Sequence, residues 1–196
     1  MNSASSKIIE DIDAMRKQGL ASLVFFYHDF REEEKRSLRG LLLSMLLQLC
    51  DQSDSYCDLL SVFYSTHRNG SQTVRSDELI RCLKDILKLP GQAPVFLILD
   101  ALDECSNACP IPSPREKVLT LVEELIDSQL PNLRMCVTSR PETDIKAVLE
   151  PMTFSSISLH DESGQMEDIE NYIKSAVNAS RDENGDRNIS SSSLTP

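Results

Sequence analysis

The chain has 196 residues, 40% of them hydrophobic and 26% charged, which suits one compact domain with a substantial core. A formal net charge of −11 excludes a general nucleic-acid-binding surface, because phosphate binding needs a clustered basic face. No run approaches the roughly 18 apolar residues of a membrane-spanning helix, and the charged first twenty residues show no secretory signal, so the expectation is an intracellular, cytoplasmic protein without membrane partners.

Ser5 or Ser6 can cap a helix reaching about Gln18, with Ile8, Ile9, Ile12 and Met15 on one face and Gly19 as its stop. Leu20 to Tyr27 is rich in aromatic and branched residues and reads as a strand. Lys35 to Cys50 carries leucine or methionine at so many positions that it predicts one largely buried helix. Shorter helices are expected over 55–66 and 76–87, the latter ended by Pro90-Gly91.

Val95 to Leu99 is a short, continuously apolar run, the pattern of a strand buried on both faces of a parallel sheet. A proline-rich loop follows, then an amphipathic helix from Arg115 to Ser128, a strand over 133–138 and a short helix over 143–149. A last strand over 153–159 and a closing helix over 166–177 complete the pattern, and from about Ala179 the sequence becomes polar and serine-rich. Such a tail cannot bury enough apolar surface to offset an ordering cost of about 1–2 kcal/mol per residue. The expected organisation is therefore a domain over 1–178 and a disordered tail over 179–196. Strands alternating with helices predict an α/β fold with a parallel sheet.

Six cysteines are present. Cys50, Cys82 and Cys136 fall in apolar segments, where a reduced thiol behaves as a small hydrophobe. Cys105 and Cys109 share a loop but have no second Cys/His pair at zinc-site spacing. His28, His67 and His160 lie in segments without a matching nucleophile, and no Gly-x-Ser-x-Gly elbow exists, which argues against hydrolase chemistry.

The chemistry concentrates in Leu99-Asp100-Ala101-Leu102-Asp103-Glu104. Carboxylates at the carboxyl end of a buried strand stand where open α/β sheets bind ligands. An aspartate there can hold Mg²⁺, and a nearby carboxylate can orient water. A solvated acidic loop is the plainer alternative. A second motif, Cys136-Val137-Thr138-Ser139-Arg140-Pro141, follows one helix later, again at a strand's carboxyl end. An arginine there could touch a phosphate, or simply be solvated.

In this order and spacing the two motifs resemble those of the NACHT family of signalling ATPases, and most closely its fungal members with a nephrocystin-like N-terminal domain. In that family a strand ending Asp-(Gly/Ala)-Leu-Asp-Glu precedes a strand ending Thr-Ser-Arg-Pro. Phe25-Phe26-Tyr27, the leucine-rich Arg39 to Leu49 and Asp168 to Ile173 resemble the flanking elements. The resemblance spans about 5–177. It implies a three-layer parallel sheet of the P-loop NTPase type, with ATP and Mg²⁺ as cofactors. It also implies that Asp100 holds Mg²⁺ through its water shell, that Asp103 and Glu104 position or activate water, and that Arg140 is a sensor.

One element of that family is missing from these residues. None of the six glycines belongs to a Gly-x-x-x-x-Gly-Lys-(Ser/Thr) loop, whose backbone N–H groups cradle phosphates at a helix N-terminus. The first helix resembles the one that follows such a loop, so the expectation is a sheet lacking its first strand and P-loop. Micromolar ATP affinity needs about −8 kcal/mol, and the expectation is no useful ATPase activity. Two alternatives stand beside this one. The first is an active relative whose upstream part is omitted here. The second is an interaction module that pairs with full-length NACHT relatives, or with itself, through an open sheet edge.

Overall fold

The computed structural model describes residues 3–66, 74–152 and 155. The chain divides into two compact units, Met1–Thr153 and Phe154–Pro196, and every element named below belongs to the first. Apart from Ser155, the expected strand over 153–159, the helix over 166–177, the polar tail, His67 and His160 lie outside the described residues.

Three parallel strands form one sheet in the order β1 (Ser22–Tyr27), β2 (Val95–Asp100), β3 (Leu133–Val137). Six α-helices accompany them among the described residues: α1 (Ser3–Lys17), α2 (Leu38–Cys50), α3 (Asp54–Thr66), α4 (Ser76–Leu87), α5 (Pro114–Asp127) and α6 (Thr143–Leu149). The α/β class with a parallel sheet is as expected.

Period-two alternation sends β-strand side chains to opposite faces. Leu23, Phe25, Phe96, Ile98 and Cys136 pack against α1 through Ile8, Ile9, Ile12 and Met15. Val24, Phe26, Leu97, Leu99, Met135 and Val137 pack into the larger core, built on α2, α4 and α5 by Leu41, Leu42, Met45, Leu46, Leu83, Ile86, Val118 and Val122. Helices therefore cover both faces of β2, which explains its unbroken apolar run. Each fully buried leucine contributes about 1.5–3 kcal/mol of transfer free energy.

Local signals set the boundaries. α1 ends in a Schellman arrangement: Gly19 sits at φ +71°, its N–H reaches Arg16 O at 2.9 Å, and Leu20 N–H reaches Met15 O at 3.1 Å. α5 opens on a capping box, with Pro114 in its first turn, Ser113 Oγ accepting from Glu116 N at 3.1 Å and the Glu116 carboxylate accepting from Ser113 N.

Two boundary expectations are corrected. The single helix over 35–50 is divided into a 3-10 turn, Glu34–Arg36, and α2, because Ser37 is extended (φ −101°, ψ 142°) and caps α2 by accepting from Gly40 N at 3.0 Å. The turn crosses so near α2 that a Cβ on Gly40 would overlap the Glu34 carbonyl, so only glycine fits. Ser5 and Ser6 are not the first cap either. α1 already runs from Ser3, and Ser5 is fully buried with its hydroxyl committed elsewhere.

Candidate functional site at the carboxyl ends of the strands

β2 ends on Asp100, which is buried. A buried carboxylate needs hydrogen-bond donors, and two hydroxyls from distant elements supply them. Ser5 Oγ, in the first turn of α1, donates to Asp100 Oδ1 at 2.6 Å, and Thr138 Oγ1, just after β3, donates to the same oxygen. The Thr138 hydroxyl also accepts from Ala101 N at 3.1 Å. One carboxylate oxygen thus gathers α1, β2 and the end of β3.

Past Asp100 the chain turns sharply. Ala101 is left-handed (φ 56°, ψ 47°), a conformation costing roughly 1–2 kcal/mol for a residue with a Cβ. The turn brings Leu102 N–H to Thr138 O at 3.0 Å and starts a short 3-10 helix, Leu102–Glu104. Leu102 is fully buried and anchors this turn in the core.

Arg115 holds the same turn from beneath. This buried guanidinium donates to Asp103 O at 2.6 Å, to Cys105 O at 2.9 Å and to the Asp144 carboxylate of α6 at 3.1 and 3.2 Å. One planar fork joins α5, the acidic turn and α6, which is the geometry arginine favours over lysine.

The other expected site residues stand around this platform. The Asp103 carboxylate accepts from Arg140 N at 3.0 Å and faces Arg140 Nε at 3.5 Å. The Arg140 side chain is otherwise 81% exposed. Glu104 is half-buried; its N–H donates to Ala101 O at 2.9 Å, while its carboxylate has no hydrogen bond or salt bridge among the described residues beyond a charge interaction with Arg31. The structure therefore brings Asp100, Asp103 and Arg140 to adjacent carboxyl ends of β2 and β3, with Glu104 on the same turn.

His28 directly follows the carboxyl end of β1 and is buried. Its main-chain N–H reaches Asp100 O at 3.0 Å, and its ring lies edge-on to Phe26. Nδ1 lies 3.1 Å from Lys35 O, which can only accept, so Nδ1 carries the proton and Nε2 is a buried lone pair with no hydrogen-bond partner among the described residues. Burial lowers its pKa to about 4, although the Lys35 carbonyl and the charges of Asp100 and Asp103 favour the proton. Burial, and then the charge of Asp100, raise the Tyr27 hydroxyl.

The cysteines are free: Cys82 and Cys105 are buried, Cys50 and Cys136 half-buried, and Cys57 and Cys109 exposed. Burial pushes Cys82 and Cys105 up to about 11, and the Cys105 thiol donates to Arg36 O at 3.1 Å. Among the described residues no group of three or more His, Cys, Asp or Glu side chains could hold a metal ion, and no helix is long and apolar enough to cross a membrane.

The family model described as "Nephrocystin 3, N-terminal" matches residues 3–140, from the first turn of α1 to the arginine beside Asp103. The chain belongs to the nephrocystin 3 N-terminal family. This bears out the resemblance to a nephrocystin-like N-terminal domain. Comparison with curated proteins and with solved structures gave no match.

Ser5, Thr138 and Arg115 hold this nephrocystin-like site together, yet none of them stood among the expected site residues. Thr138 lies within the Thr-Ser-Arg-Pro motif, where the charged arginine is the more conspicuous side chain. Arg115 directly follows the Ser113-Pro114 helix start, a pattern that marks a boundary but not an inward-pointing charge. Ser5 carried no signal beyond that of a helix-start serine.

Proposed function

We infer that this chain carries the Mg²⁺- and sensor-bearing half of a NACHT-type nucleotide site. In this reading Asp100 is the Walker B aspartate. The supporting observation is the convergence of Ser5 and Thr138 on Asp100 Oδ1 at the carboxyl ends of adjacent parallel strands, the position at which open α/β sheets bind ligands.

The donor chemistry suits Mg²⁺ in part. Mg²⁺ takes hard oxygen ligands and keeps several waters. Asp100 would contact it through that water shell, while Ser5 and Thr138 fix the carboxylate plane. Asp103 and Glu104 would orient water, with Glu104 the freer of the two, because Asp103 is engaged by Arg140.

The phosphates are not provided for. These 196 residues contain no Gly-x-x-x-x-Gly-Lys-(Ser/Thr) loop, and anionic Asp100 and Glu104 repel a triphosphate when no cation intervenes. These residues therefore do not bind or hydrolyse ATP productively. A phosphate-release assay with Mg·ATP tests the hydrolysis clause: release should equal the buffer blank. Turnover that disappears in Glu104→Gln would overturn it.

A second reading, an interaction module that pairs through its sheet, is favoured by one observation. Among the described residues β3 pairs only with β2, and an open edge is a template for another strand. Copurification with a full-length relative supports this reading, and a chain that stays monomeric and alone contradicts it.

A further inference from the structure

The two edges of this sheet are treated differently. Ser22 N and His28 N donate to Pro94 O and Asp100 O, so the even-numbered residues of β1 bond to β2 and the odd-numbered ones face away. At an ordinary edge those outward N–H and C=O groups would be left for water or for another strand.

Here two glutamine side chains occupy them. Gln52 Oε1 accepts from Leu23 N at 2.8 Å, and Gln52 Nε2 donates to Leu23 O at 2.7 Å. Two residues along, Gln48 Oε1 accepts from Phe25 N at 3.0 Å, and Gln48 Nε2 donates to Phe25 O at 2.9 Å. Each carboxamide gives its residue the donor and acceptor pair that a residue of a neighbouring strand would give.

The clamp is itself braced. Gln48 Nε2 also donates to Ser44 Oγ at 2.9 Å, and Gln52 Nε2 to Gln48 O at 2.7 Å. Ser44, Gln48 and Gln52 succeed one another at a four-residue spacing, so they share one side of α2 and its C-terminal turn. Leu43 and Leu47, one residue before Ser44 and Gln48, are 39% and 65% exposed and form an apolar stripe beside this edge.

We propose that Gln48 and Gln52 serve as a surrogate fourth strand that closes the β1 edge to a second copy of this chain. Without them the edge would offer two alternate residues, Leu23 and Phe25, with free main-chain pairs, beside exposed leucines. That combination favours edge-to-edge association. The inference is independent of any nucleotide chemistry, since the clamp lies along β1 and involves none of the acidic residues.

Residue-resolved amide hydrogen exchange, with sedimentation, tests it. In the wild-type chain the Leu23 and Phe25 amides should be protected like those of Val24 and Phe26. In Gln48→Ala/Gln52→Ala they should exchange at least about tenfold faster while Val24 and Phe26 hold, and the average mass should rise above that of the wild type at equal concentration. Unprotected Leu23 and Phe25 amides in the wild type overturn the proposal, even if the double variant does not fold. A folded double variant that keeps the wild-type mass overturns it as well.

Discussion

Ser5 Oγ lies 2.6 Å from Asp100 Oδ1 across 95 residues of chain, fully buried, and joins the first turn of α1 to the last residue of β2. This contact ties the helix on one face of the sheet to the acidic turn. Because Thr138 uses the same oxygen, the start of α1 and the end of β3 are coupled through one carboxylate.

Removing either hydroxyl should therefore cost stability, and the two costs should not add. Ser5→Ala and Thr138→Val each remove one donor from a buried carboxylate, for about 1–3 kcal/mol apiece. The double variant should depart from the sum by about 0.5 kcal/mol or more. Urea denaturation of the four proteins measures this, and strict additivity would mean that the hydroxyls act independently.

Arg115 should be less replaceable than its unremarkable place in the sequence suggests. Arg115→Ala unpairs the half-buried Asp144 carboxylate and frees two carbonyls of the acidic turn, at a cost of about 1–3 kcal/mol. Arg115→Lys should recover little of this, because an ammonium cannot reproduce the fork. Denaturation midpoints for the pair check the point, and a lysine variant as stable as the wild type would contradict it.

His28 predicts a pH dependence of defined sign. The unfolded imidazole gains its proton near pH 6.5, and the folded one only near about 4. Between these values the unfolded chain binds more protons, so stability falls as pH drops from 6.5 towards 4, by up to about 1.4 kcal/mol per unit from this group. The full contribution is present above pH 6.5. Comparing thermal stability at pH 7 and pH 5 for the wild type and His28→Gln measures it: the variant should lose less on acidification.

Much of this architecture can be read from residue patterns, and the exceptions have physical causes. The apolar run Val95 to Leu99 foretells a doubly covered central strand, and Gly19 foretells the end of α1, because both signals are local. The break at Ser37 is harder to foresee, since the leucines on either side share one apolar pattern while a single cap residue decides the boundary. At the site, Asp100, Asp103 and Glu104 are conspicuous as charges that follow a buried strand. Ser5, Thr138 and Arg115 are not, because their roles depend on contacts that only the folded chain creates. Gln48 and Gln52 likewise look like solvent-facing helix residues until β1 is seen beside them.

We propose that the Asp100 platform is half of a nucleotide site and does not hold ATP in these 196 residues. Thermal unfolding with and without millimolar Mg·ATP tests it most directly, since a ligand at a hundredfold excess over its dissociation constant adds about 2.7 kcal/mol to stability. Mg·ATP should leave the midpoint unchanged for the wild type and for Asp100→Ala alike. A clear stabilisation of the wild type that vanishes in Asp100→Ala would contradict it.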